Sequence, residues 1–319
     1  MLRTAFTDLV GCQVPIQLAP MGGGVVTPEL AIAVSRAGGL GMLQRADPTP
    51  LAERITRLEQ AQVGPIGVNF VLHTRGPGDR AEIELAASRA RLVEFFWADP
   101  DPALVELVHG GGALAGWQVG SVAEAERAAE AGCDLIAAQG VEAGGHVRGT
   151  VALLPLLAGV LEAVPVPVLA AGGIASARSM AAVLAAGAAG VRIGTRFLAT
   201  PESGAHPEYV AALLAADGEE TVLTEAFAVG WPDAPHRVLR SALEAAEAFG
   251  GEVVGGLHAG TVSEPLPRLS ARTPSREVSG TVAAMALYAG QGVDQVTEVT
   301  PAAQVVAELA QDTARLLRR

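Results

Sequence analysis

The chain has 319 residues, 34 acidic and 22 basic side chains, a formal charge of −12 and an apolar half. That composition excludes intrinsic disorder. A polyanion also gains nothing from counterion release on a phosphate backbone, so nucleic acid and anionic membranes are poor partners and small molecules are the expected ones. All 22 basic residues are arginine. Without a single lysine, Schiff-base aldolases, pyridoxal-phosphate enzymes and P-loop nucleotidases are ruled out.

The opening residues Met1 to Gly11 include Arg3 and Asp8 and lack the apolar run of a signal peptide. The most apolar stretch, 151–175, is interrupted by Pro155, Glu162, Pro165 and Pro167, so it cannot be one membrane-spanning helix. The two cysteines, Cys12 and Cys133, have no ligand-like spacing, so a reduced cytoplasmic setting is expected and a zinc site is not.

From Val14 onward, short β-branched runs alternate with alanine-rich amphipathic segments, the pattern of a parallel sheet with helices outside. Strands are expected at 14–19, 40–43, 66–70, 92–97, 115–119, 134–139, 167–171 and 190–194. Thr27 and Pro28 open the first intervening helix, and Gly38 and Gly39 close it. Ser121 and Glu124 predict a reciprocal capping box between the fifth and sixth strands. Eight β-then-α units, with no GxGxxG after the first strand, favour a TIM (β/α)8 barrel over an open doubly wound sheet. The barrel is assigned to residues 1–200. Residues 201–319, with helices expected around 207–216, 237–249 and 301–317, are read as a mainly helical subdomain that completes the barrel and covers its mouth.

In such a barrel the chemistry gathers where strands end. Cys12 and Cys133 precede their strands and are read as packing residues. The loops after the last two strands carry Ala171, Gly172 and Gly173, then Gly194 and Thr195, a combination suited to holding a phosphate on backbone amides. The loop after the sixth strand runs from Gln139 through Gly144 and Gly145 to His146, the candidate general acid or base. His73, His109, His206, His236 and His258 are expected in surface or structural roles. Ala19, Pro20, Met21 and Gly22, with Asn69, complete a ring suited to a flat aromatic cofactor.

These residues resemble the nitronate monooxygenase (2-nitropropane dioxygenase) family of FMN-dependent TIM barrels over nearly the whole chain. The carriers are Ala19-Pro20-Met21, Thr27-Pro28-Glu29-Leu30, Gly67-Val68-Asn69, Glu142-Ala143-Gly144-Gly145-His146, Ala171-Gly172-Gly173-Ile174, Gly194-Thr195-Arg196-Phe197 and Ala289-Gly290-Gln291. The resemblance implies FMN with its phosphate on Gly173, Gly194 and Thr195, its ring near Pro20, Met21 and Gly22, and polar contacts from Asn69, Gln118 and Gln139. It makes His146 the active-site histidine and returns residues 288–291 to the pocket, although Ala-Gly-Gln-Gly is an equally good helix C-cap. The implied reaction is oxidation of a nitronate or nitroalkane by O2 to a carbonyl compound and nitrite. The alternatives are an NAD(P)H-dependent FMN reductase of a quinone or enoyl thioester, and a noncatalytic flavin-binding or phosphate-ligand-binding protein. Whether copies associate into a homo-oligomer is left open.

Two departures from the family pattern matter. Some relatives place a lysine near the flavin's pyrimidine edge, a role left here to Gln118 or a distant arginine. Val147 and Arg148 precede Gly149, where the family often has Gly two residues after the histidine; Arg148 is either an anion-recognition group or a solvated charge.

Overall fold

In the computed structural model, which describes residues 2–45, 50–74, 79–259 and 262–318, strand β1 (Ile16–Leu18) is buried at every residue. That is the condition of a strand with side chains packed inside a barrel and helices outside. Strands β2 (Gly41–Gln44), β3 (Ile66–Val71), β4 (Leu92–Phe96), β5 (Leu114–Val119) and β6 (Leu135–Gln139) follow. After the two-residue β7 (Gly145–His146) come β8 (Val168–Ala171) and β9 (Gly190–Ile193). With β7 set aside, these strands pair in parallel in the order β1, β9, β8, β6, β5, β4, β3, β2. The ring closes where Gln17 bridges Leu40 and the Leu18 amide donates to the Leu40 carbonyl at 3.0 Å. Each of the eight expected runs forms one barrel strand.

The helix starts follow local chemistry. Thr27 accepts from the Leu30 amide, Pro28 occupies the first turn, and Leu30, Ala31 and Val34 face the core. Burying a side chain such as Val34 contributes about 1.5–3 kcal/mol. Ser121 caps the helix Val122–Glu130 through the Glu124 amide, but the expected reciprocal bond is replaced. The Glu124 carboxylate accepts from the Gly120 amide and pairs with Arg148, a stronger partner than a lone amide.

Only a single helical turn, Thr195–Leu198, follows β9. The eighth helix of the barrel is the last one in the chain, Ala302–Leu317, which packs beside the helices Ala177–Ala185 and Pro28–Arg36. Its Ala302, Val305, Val306 and Leu309 join the main core.

The intervening span is less helical than expected. It holds helices Pro207–Leu214 and Arg240–Ala248, together with β10 (Thr221–Thr224), β11 (His236–Leu239), β12 (Val253–Ala259), β13 (Val262–Pro267) and β14 (Val278–Gly280). The helix expected from residue 237 starts at Arg240, because β11 takes the preceding residues into a sheet with β10 and β7. The other sheet has the order β13, β12, β14. This span has its own core around Tyr209, Phe227, Val238 and Leu287. The pairing of His146 with His236 ties it to the barrel mouth. Among the described residues no helix is long and apolar enough to cross a membrane, and no cluster of residues could hold a metal ion.

Candidate active site

The carboxyl ends of the barrel strands and the loops of the inserted span enclose a cavity of about 480 Å3, within the range of small-molecule sites. Ala19, Pro20, Met21 and Gly22 form one wall, Asn69, Gln118 and Gln139 the floor. Ala171, Gly172, Gly173, Gly194 and Thr195 line one end, and Gly144, Gly145 and His146 the side between. Of the site residues chosen from sequence, Gln291 stands apart. Its side chain is exposed, while its neighbours Gly290 and Gly292 line the cavity. The string around it ends no helix; Gly292 instead leads into the single 3-10 turn Val293–Gln295. The Gly290 amide donates to Thr195 Oγ1 at 3.1 Å and the Gln291 amide to the Glu142 carbonyl at 2.9 Å, so this strap joins the phosphate-type loop to the histidine loop. The approach requires glycine at 144, where a Cβ would lie 2.5 Å from the Gly290 nitrogen.

A polar layer lies directly below, inside the barrel. Arg192 on β9 crosses the interior to form an ion pair with Glu94 on β4, and both are at least 95 % buried. Its Nε donates to Gln17 Oε1 at 2.9 Å and its Nη1 to Gln118 Oε1 at 2.5 Å. Asn69 Nδ2 donates to Glu94 Oε1 at 3.2 Å. Arg192 also lines the cavity, so the arginine expected at a distance is held against Gln118. A buried pair like this one is stable only while both charges are present, and loss of either costs about 3–5 kcal/mol.

His146 lies in a box of aromatic rings. Trp231 stacks on it at 3.7 Å between ring centroids and stacks on His73 at 3.8 Å from the other side. Trp97 meets His146 edge-on, and His236 and Tyr288 close the remaining sides at 5.2 and 5.6 Å. Trp97, immediately after β4, holds φ 65°, a left-handed backbone that a bulky residue adopts only where packing enforces it. Burial, then the neighbouring rings of His236 and His73, push the His146 imidazole down to about 3, so it is neutral at working pH. Its Nε2 is enclosed without a hydrogen-bond partner. His236, also lowered by burial, is fixed from both ends: Nδ1 bonds the Ala234 carbonyl at 2.8 Å and Nε2 accepts from the Phe227 amide.

The floor leaves a second orphan. Gln139 gives its amide nitrogen to the His146 carbonyl at 3.1 Å, and its Oε1 is buried with no partner. Trp231 Nε1 is a third; unsatisfied buried polar atoms are uncommon, and three among the residues lining one cavity point to a resident ligand. At the opposite end, Gly172 and Gly173 hold φ 114° and 65°, a backbone that side chains resist and that exposes amides to an anion. A flat, polar-edged ring with an anionic tail fits this distribution.

The nitronate monooxygenase family model matches residues 3–312. The chain belongs to that family. It is 37 % identical, over 76 % of its length and 67 % of the relative's, to a hydroxy-methyl-oxo-octahydroindene-carboxyl-CoA dehydrogenase of Rhodococcus jostii. The nitroalkane oxidase of Streptomyces ansochromogenes superposes with a TM-score of 0.75 at 32 % identity, covering 98 % of both chains. FabK of Thermotoga maritima superposes with a TM-score of 0.80 at 28 % identity, covering 100 % of this chain and 98 % of that one. Family and neighbours together imply a flavin cofactor and an oxidoreductase.

In this family member the remaining candidates fall into structural roles. Cys12 and Cys133 are buried at the opposite end of the barrel, and burial pushes both thiols up to about 12, so neither supplies a thiolate. Arg148 pairs with Asp99 and Glu124, which removes the anion-recognition alternative. His109 bonds Asp134, His206 caps the helix Pro207–Leu214, and His258 bonds Ser263 and Ser279. His73 departs from its expected role by stacking in the site. Sequence reasoning missed Trp97 and Trp231. Trp97 was open to the same strand-end reasoning that singles out His146, whereas nothing local marks Trp231.

Proposed function

We propose that this protein binds FMN and oxidises alkyl nitronates or nitroalkanes, with His146 as the residue that meets the substrate. The carrying observation is the neutral imidazole with an unpartnered Nε2, held in an aromatic box beside the cavity. In this reading Gly173, Gly194 and Thr195 hold the phosphate, while Pro20, Met21 and Gly22 flank the ring. Asn69, Gln118 and Gln139 meet its polar edge. Bound FMN supplies electron transfer and reaction with O2, which convert a nitronate into a carbonyl compound and nitrite.

The chain's own contribution begins with proton transfer. The α C–H of a nitroalkane gives its proton to His146 Nε2, and the bonding pair moves onto the nitro oxygens. The resulting anion and imidazolium form in contact within a cavity walled by aromatic and apolar groups. Their attraction there is far stronger than in water and offsets the cost of charging a buried ring. Trp231 and Trp97 exclude water from the ring and fix its plane.

Arg272 supports a second reading. It lines the cavity, and its guanidinium has no hydrogen bond or ion pair among the described residues, an arrangement suited to a phosphate-bearing substrate such as a carrier thioester or NAD(P)H. Anaerobic mixing separates the two. Bleaching of the bound flavin by a propyl nitronate, with NADH and NADPH inert, supports nitronate oxidation. Rapid bleaching by NADH or NADPH refutes it in favour of the reductase.

A further inference from the structure

We propose that the buried Glu94–Arg192 pair is a positioning device: it locks the carboxamides of Asn69 and Gln118 in opposite senses. The cavity floor then presents an acceptor and a donor to the imide edge of the flavin. The inference rests on the FMN reading and adds the residues that set the polarity of that edge.

Donor chemistry alone fixes both orientations. A guanidinium only donates, so the Gln118 atom 2.5 Å from Arg192 Nη1 must be its oxygen, and its NH2 is left for the cavity. A carboxylate only accepts, so the Asn69 atom 3.2 Å from Glu94 must be its nitrogen, and its oxygen is left for the cavity. Neither amide can flip without setting donor against donor or acceptor against acceptor. Gln17 tightens the lock, since its Oε1 accepts from Arg192 Nε and its Nε2 donates to Glu94 at 3.3 Å. All five side chains are at least 93 % buried, so water cannot substitute for a lost partner. An N–H beside a carbonyl, as in the imide of an isoalloxazine, is the complement of this pair: N–H to Asn69, carbonyl to Gln118.

The Glu94→Gln variant tests the lock. The carboxamide it introduces must turn its oxygen to Arg192, so its NH2 faces residue 69 and forces Asn69 to reverse. Asn69 then shows NH2 where an acceptor stood. The double variant Glu94→Gln/Asn69→Asp restores an acceptor there with unchanged total charge. The readouts are the FMN dissociation constant and the pH at which the bound flavin loses its imide proton, followed by absorbance.

In the parent, ionisation of the imide is expected above that of free FMN. In Glu94→Gln it falls below the parent value and FMN affinity drops about tenfold or more, the loss of one well-placed hydrogen bond; the double variant recovers both. If Glu94→Gln does not fold, Gln118→Glu keeps an acceptor for Arg192 and turns the cavity donor into an acceptor. It is expected to weaken FMN binding by a similar factor while leaving the imide ionisation raised. Equal ionisation in the parent and Glu94→Gln, or unchanged affinity in Gln118→Glu, overturns the positioning role while FMN binding stands. A parent that takes up no FMN overturns both readings.

Discussion

His146 gives the site a measurable link between protonation and stability. Its imidazole is driven down to about 3 in the folded protein, against about 6.5 in an unfolded chain. Between those values the unfolded chain binds a proton that the folded one excludes. The resulting stabilisation is complete above the unfolded value and is lost as pH falls toward 3. At about 1.4 kcal/mol per pH unit below about 6.5, lowering the pH from about 7.5 to about 5 removes roughly 2 kcal/mol through this residue. The perturbation is His146→Phe, which keeps a flat ring against Trp231 and removes the titration. Urea unfolding of the two proteins at both pH values isolates the effect, because His73, His236 and the carboxylates titrate in both. The parent is expected to lose about 2 kcal/mol more than the variant. Equal losses would show that His146 is protonated normally in the folded state, and the case for a neutral, enclosed base would fail.

Trp231→Ala opens one face of the His146 ring; in a ring titration by NMR the imidazole should move up from about 3, and no movement would mean that Trp231 does not desolvate it. Gly172→Ala places a Cβ on a backbone at φ 114° and 3.0 Å from the Gly140 carbonyl. It is expected to cost about 1–3 kcal/mol and weaken FMN retention on a desalting column; wild-type retention and stability contradict this account of the loop. Arg192→Met leaves Glu94 buried without its charge partner and should lower stability by about 3–5 kcal/mol in chemical denaturation, so a loss under about 1 kcal/mol would contradict the buried-pair assignment. Arg272→Ala is expected to leave turnover of a small nitronate unchanged; a large rise in KM for that substrate would place Arg272 in its recognition instead.

Much of the architecture is readable in the residues themselves. The eight barrel strands are short runs buried on both faces, a pattern carried by consecutive residues. Thr27-Pro28 announces a helix start by side-chain chemistry within four residues of the cap. The strand-end rule then places Asn69, Gln139 and His146 at one face, because position along a parallel strand fixes which end of the barrel a residue occupies, whereas Gln118 entered only through the family resemblance. The span after β9 was harder to read. Its longest strand, β12, carries Gly255 and Gly256, its partner β13 contains Pro265 and Pro267, and β11 pairs with a two-residue strand about ninety positions away, so no local pattern announces them.

Local sequence therefore determined the barrel, its functional face and the histidine loop, since each depends on periodicity or on contacts between near neighbours in the chain. Only the tertiary structure decided the rest. Arg192 meets Glu94 and Gln118 across the barrel interior, Trp231 lies between His73 and His146, and Gln291 turns outward while its glycine neighbours line the cavity. Those relations join residues far apart in sequence, and their physical consequences, a locked amide orientation and a desolvated imidazole, exist only once packing has excluded water from both sides of the contact.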